Sequence, residues 1–128
     1  MLIFRNIIWI DNQLEYTKYI NELKYLGNYK ISFSPKINEG INIIKGIKFE
    51  ETVIIIGENL YSQFIMALKQ IIKDIYIIPR ILIFSKSKTN YIENNYIYKE
   101  SIDNPFLVDT KTNFEEIKQF LLNSKVKD

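Results

Sequence analysis

A chain of 128 residues and 15.3 kDa has the size of one domain with one continuous core, which excludes a multidomain enzyme. Lys and Arg total 17 against 15 for Asp and Glu, a net charge of +2 that argues against nucleic acid as the partner. The absence of Cys and His removes disulfides, thiolate metal centres, cysteine nucleophiles and every mechanism that needs an imidazole base.

Hydrophobic residues make up 47% of the chain, enough for a folded core and too many for a disordered tail. Isoleucine occurs 26 times and Asn 13 times, and Lys outnumbers Arg 15 to 2. This bias is the mark of an AT-rich coding genome, so single Ile, Asn and Lys positions carry little weight. No run of about 18 apolar residues exists, and the opening Met1-Leu2-Ile3-Phe4-Arg5 lacks the charged start and small-residue cleavage site of a secretory signal. The expectation is a cytoplasmic protein with no membrane partner.

The run Asn6-Ile7-Ile8-Trp9-Ile10 is short, continuously apolar and β-branched, the pattern of a strand buried on both faces, and it stops at Asp11-Asn12. Over 14–26 the residues Tyr16, Ile20, Leu23 and Leu26 recur every three or four positions. Asn12 and Glu15 have capping spacing and Gly27 is a terminator, so an amphipathic helix is predicted. A second strand follows over 29–33. Ser34-Pro35 then offers an N-cap with Pro at the first helical position, opening a helix with the stripe Ile37, Ile41, Ile44 that frays at Gly46.

Thr52-Val53-Ile54-Ile55-Ile56 is another doubly buried run, ending at Gly57. Tyr61, Phe64, Ile65, Leu68, Ile71, Ile72 and Ile75 form a third helical stripe that Pro79 prevents from continuing. Ile81-Leu82-Ile83-Phe84 reads as strand four, stopping at Ser85. The polar, Tyr-rich stretch after it predicts one short helix over 89–94. A last strand is predicted over 106–108. A closing helix opens on Thr112 and Glu115 at capping-box spacing, with Phe114, Ile117 and Leu121 as its stripe.

Five apolar strands alternating with helices require a parallel sheet covered on both sides by right-handed crossovers. The expected fold is α/β: a three-layer α/β/α sandwich on a five-stranded parallel sheet in the flavodoxin-like order 2-1-3-4-5. One domain over 1–124 and a loose C-terminal tail over 125–128 are expected. In such a sheet the ligand crevice lies beyond the carboxyl ends of the strands. The residues placed there are Asp11 and Asn12, Gly57 and Glu58, Ser85, and Asp109 with Lys111 two positions on.

Ile7-Ile8-Trp9-Ile10-Asp11, the apolar third strand, the segment Ile78-Pro79-Arg80-Ile81-Leu82-Ile83-Phe84-Ser85 and the late Phe106-Leu107-Val108 together resemble the receiver domains of two-component signalling, over nearly the whole chain. The resemblance implies two adjacent acids after strand one, a phosphoacceptor Asp ending strand three, a Ser or Thr after strand four, and a Lys followed by Pro after strand five. Asp11 matches the first acid and Ser85 the hydroxyl. Asn12 replaces the second acid, Gly57 stands in the place of the phosphoacceptor, and Asp109 in the place of the Lys. Glu58 is one residue beyond the acceptor position, displaced by about one strand rise of ~3.3 Å.

The resemblance also marks the region between strands four and five for partner docking, where Tyr91, Tyr96 and Tyr98 supply amphipathic rings suited to an interface or to packing back on the domain. Ser85-Lys86-Ser87-Lys88 fits S-x-x-K but lacks the companion motifs of the Ser–Lys acylating enzymes. No glycine-rich phosphate cradle, Walker loop or zinc pattern occurs, so no cofactor and no metal is implied. Asp11, Glu58 and Asp109 either converge on a weak cation or remain solvated acids neutralised by Lys111. Asp11 as a strand-end cap, and Trp9 as core, are the structural alternatives to ligand roles.

The expected function is a non-phosphorylatable pseudo-receiver. It would act as a protein-interaction or regulatory module, one domain of a larger signalling protein or a homo-oligomer being compatible with the chain. The alternative is a TIR-like nucleotide hydrolase acting on NAD, which shares the topology and would use Glu58.

Overall fold

The computed structural model describes residues 4–12, 17–72, 80–84, 113–124 and the backbone of 107–111. In chain order the elements are β1 (Asn6–Ile10), α1 (Thr17–Lys24), β2 (Lys30–Ser34), α2 (Ile37–Ile44), β3 (Thr52–Gly57), α3 (Tyr61–Ile71), β4 (Arg80–Phe84), β5 (Leu107–Lys111) and α4 (Phe114–Asn123). Short 3₁₀ turns, Phe49–Glu51 and Glu58–Leu60, flank β3. The fold is α/β, with a parallel sheet in the order β2-β1-β3-β4, that of flavodoxin-like sheets. The backbone of β5 runs parallel along β4, Arg80 opposite Leu107 and Phe84 opposite Lys111. Among the described residues, no helix is long and apolar enough to cross a membrane.

Both faces of the central strands are covered, which is why these strands read as unbroken apolar runs and not as alternating ones. Ile8, Ile10, Ile54, Ile56, Ile81 and Ile83 face α2 and α3, meeting Ile41, Ile44, Phe64 and Leu68. The residues between them, Ile7, Trp9, Val53, Ile55, Leu82 and Phe84, meet Leu23 of α1 and Phe114, Ile117 and Leu121 of α4. Trp9 is fully buried and stacks against Tyr19 and Phe114, with centroids 5.9 and 6.2 Å away, while Tyr19 lies 4.3 Å from Phe114 at 13°. Its ring is therefore core, the structural one of its two readings. Lys118 ties α4 to α1, reaching Glu115 at 3.1 Å and Glu22 at 3.8 Å. Hydrogen bonding from Lys118 and then Gln119 holds the Glu115 carboxyl below its ordinary range.

Two predicted helix starts are displaced. Ser34 is the last residue of β2, so α2 opens at Ile37 with Lys36 as its N-cap and no side-chain cap bond. The hydroxyl of Ser34 instead accepts from Lys36 N–H at 3.3 Å, and its proton is shared between Lys36 O at 2.8 Å and Glu39 Oε2 at 3.2 Å. The capping chemistry has moved into the turn before the helix because the strand uses the cap residue. At the other end β5 runs through Lys111, past the expected 106–108. The cap is Asn113, not Thr112, and its Oδ1 accepts from Glu116 N–H at 2.9 Å. The apolar run understates this strand because Asp109, Thr110 and Lys111 extend it with polar side-chain types. The partners predicted for the start of α1 include Glu15, which lies outside the described residues, as do Ile75 and Pro79, the helix over 89–94, and the tail.

At Gly40 the helix α2 lies close against Ile10 of β1. A Cβ there would overlap Ile10 Cδ1 and stand 2.7 Å from Ile10 Cγ1, so the fully buried Ile10 would have to shift. Gly40→Ala is expected to destabilise the protein: overpacking of ~1–3 kcal/mol outweighs the gain of about 1 kcal/mol from better helix propensity. Chemical denaturation of Gly40→Ala, Ile10→Ala and the pair should give a combined loss smaller than the sum of the two. Asn113→Ala should cost about 1 kcal/mol through the lost α4 cap, and Asn113→Asp much less, both read as shifts in melting temperature.

Candidate functional site

Burial on both faces leaves polar chemistry to the ends of the strands, and at the carboxyl edge the chain leaves β1 at Asp11 and β3 at Gly57. Asp11 follows β1 directly and extends its ladder by one bond, its N–H donating to Ser34 O at 3.0 Å. Its side chain is drawn inward, only 2% exposed. Gly57 ends β3 and is buried. Since Ile10 pairs with Ile56, the residues that follow them, Asp11 and Gly57, leave adjacent strands at the same level.

These two residues touch. A Cβ placed on Gly57 would lie 2.7 Å from Cγ and Oδ2 of Asp11 and 2.8 Å from its Oδ1, inside the contact distance of any carbon with a carboxylate. The backbone of Gly57 is ordinary extended chain, φ −64° and ψ 143°, which every L-residue adopts. Space and not a backbone angle disfavours a side chain here, since the Asp11 carboxyl would have to shift to admit one. The Asp11 carboxyl occupies the volume that a side chain at position 57 would need.

The other residues expected at this edge are placed differently. Asn12 is exposed. Glu58 is half-buried and leaves the pleat at once, entering the 3₁₀ turn that leads to α3, so it does not continue β3 into the position of an acceptor. The register aligns Gly57 with Phe84 and Phe84 with Lys111, while Asp109 pairs with Leu82 two residues further in. The expectation that Asp109 emerges at the strand end is thus corrected. Lys111 is the residue that terminates β5, because the strand is longer than its apolar core. Ser85, Tyr91, Tyr96 and Tyr98 lie outside the described residues. Among the described residues no group of three or more acids is placed to hold a metal ion.

Sequence reasoning identified Asp11 and Gly57 separately but missed their contact. The only available signal was an acid and a glycine at the ends of two strands predicted to be neighbours. Compared with protein-family models, curated proteins and solved structures, the chain matches none of them.

Gly57→Ala is expected to lower stability by ~1–3 kcal/mol, the cost of forcing a methyl group into a filled site. In an Asp11→Ala background the same substitution should cost well under half as much, since the opposing carboxyl is gone. Urea titrations of the four proteins in this cycle measure the coupling. Equal losses in both backgrounds would separate the two residues.

Proposed function

We propose that this chain is a pseudo-receiver: a five-stranded, three-layer α/β/α module in the order 2-1-3-4-5 that performs no phosphotransfer and acts by binding another protein. The observation that carries this reading is the Asp11 carboxyl packed against Gly57. Phosphotransfer to a carboxylate needs that carboxylate at the end of the third strand, a divalent cation and a balancing positive charge. Here the position is a glycine, and an acid from the neighbouring strand fills the space where an acceptor would stand.

The strand order β2-β1-β3-β4 and the acid after β1 support the receiver resemblance. So does Lys111 at the end of β5, level with Phe84 and so with Gly57, the strand position at which receivers carry Lys. Lys111 is followed by Thr112 and not by the Pro of receivers, and Asn12 still replaces the second acid. A receiver frame without its acceptor retains surfaces for partners and loses the reaction. The region assigned to the partner is the one that carries Tyr91, Tyr96 and Tyr98.

Incubation with acetyl phosphate and Mg²⁺, followed by intact-mass measurement, should show no covalent gain of a phosphoryl group. Gly57→Asp should also remain unmodified and melt at lower temperature than the parent, because its new carboxyl meets that of Asp11. A stable phosphoryl adduct on the unmodified chain would overturn the reading, and its location on Glu58 would identify the acceptor.

A further inference from the structure

β2 is the outermost strand of the sheet, and its hydrogen bonds show which of its backbone groups are committed. Lys30 N–H donates to Arg5 O at 2.8 Å, and Ser34 O accepts from Asp11 N–H at 3.0 Å. The N–H and C=O of one strand residue point to the same side and those of its neighbours to the other. Lys30, Ser32 and Ser34 therefore turn their backbone groups toward β1, and Ile31 and Phe33 turn theirs outward. Among the described residues, nothing pairs with that outer side.

Free edges are ordinarily blunted by Lys, Pro, a bulge or a covering segment. β2 has Lys30 at its first position and Pro35 just past its last, and between them Ile31-Ser32-Phe33 carries no charge and no Pro. Its register with β1 is continuous over all five residues, with no bulge to twist the edge away.

We infer that this edge pairs with β2 of a second copy of the chain, antiparallel, about a two-fold axis at Ser32. That register overlaps all five residues of β2, and the strand complements itself at each of them. Ile31 comes opposite the partner's Phe33, both with outward backbone groups, so two such pairs each exchange two N–H···O=C bonds. Lys30 comes opposite the partner's Ser34, so no like charges meet. Tyr29 comes opposite the partner's Pro35, whose missing N–H ends the ladder.

Both faces of the strand suit the pairing. Ile31 and Phe33 are half-buried against the α1/α4 core, and the two-fold extends them into one apolar row of β-branched and aromatic cross-strand pairs. On the opposite face Lys30 and Ser32 open onto a cavity of about 330 Å³, lined also by Asn6, Ile8, Ile43 and Ile47. This space is large enough for a longer side chain at position 32 in the single chain. A strand edge alone is small beside a standard interface of about 1,600 Å², so the association is reversible and concentration-dependent.

Sedimentation equilibrium over a wide concentration range tests this. The average mass of the unaltered protein should rise from that of one chain toward that of two. Ser32→Lys and Ser32→Asp should each raise the dissociation constant about tenfold or more, because two like charges then face each other across the axis. Both should melt where the parent melts at concentrations low enough to keep it a single chain, and an equimolar mixture of the two should regain association. Ile31→Pro is an independent variant: it removes an outward donor and no bond to β1, and it too should be monomeric. A single-chain mass at every concentration, association undiminished in Ile31→Pro, or a mixture no more associated than its components would each overturn the proposal. Tighter association of Ser32→Asp alone would place Lys30 opposite position 32 and overturn the two-fold at Ser32.

Discussion

Every residue of β3 from Thr52 to Gly57 is buried, as are Ile7 to Ile10 of β1 and Ile81 to Phe84 of β4. A sheet whose central strands are buried on both faces has to satisfy its backbone entirely within the ladder and its side chains entirely by packing. Helices on either side are the consequence, and so is the scarcity of buried polar groups: among the described residues Asp11, Ser34 and Thr52 make up the buried polar set. Thr52 closes onto Lys48 O at 2.6 Å at one end of β3. Ser34 and Asp11 lie at the other end of the sheet, joined through the backbone bond between them. Polar chemistry is confined to strand ends by the same burial that stabilises the strands.

Two glycines let this packing close. Gly40 admits Ile10 against α2, and Gly57 admits the carboxyl of Asp11 against β3. Neither has an unusual backbone conformation, since among the described residues no glycine has positive φ. Both are places where a Cβ would overlap a neighbour. The two contacts sit at consecutive residues of β1 and its extension, Ile10 and Asp11, so the end of this strand is held from the α2 side and from β3 at once. The candidate site is thereby part of the core packing and not a crevice added to it.

This coupling bears on the proposed function. Where a receiver presents a reactive carboxylate at the end of its third strand, this chain has a packed contact, and introducing an acid there means displacing Asp11 as well as supplying the acceptor. Glu58 turns away into a helical turn, Asn12 is exposed, and Lys111 rather than Asp109 ends β5. A binding module retains such a frame without needing its chemistry.

Within the described residues the order of elements and the identity of the core were legible in the sequence, because apolar runs of Ile and Leu and stripes at three- and four-residue spacing depend only on local periodicity. The parallel sheet and the adjacency of β1 and β3 followed from chain-crossing rules applied to those elements. Boundaries were legible only where hydrophobicity changed with structure. β5 carries Asp109, Thr110 and Lys111, so its true end was hidden, and with it the residue that stands at the sheet edge. Ser34 looked like a helix cap because its hydroxyl chemistry is the same in the turn that it forms. What only the tertiary structure decided was the meeting of Asp11 with Gly57, residues 46 positions apart. Periodicity assigns a residue to a face, but the space left beside it depends on the rotation and spacing of neighbouring strands.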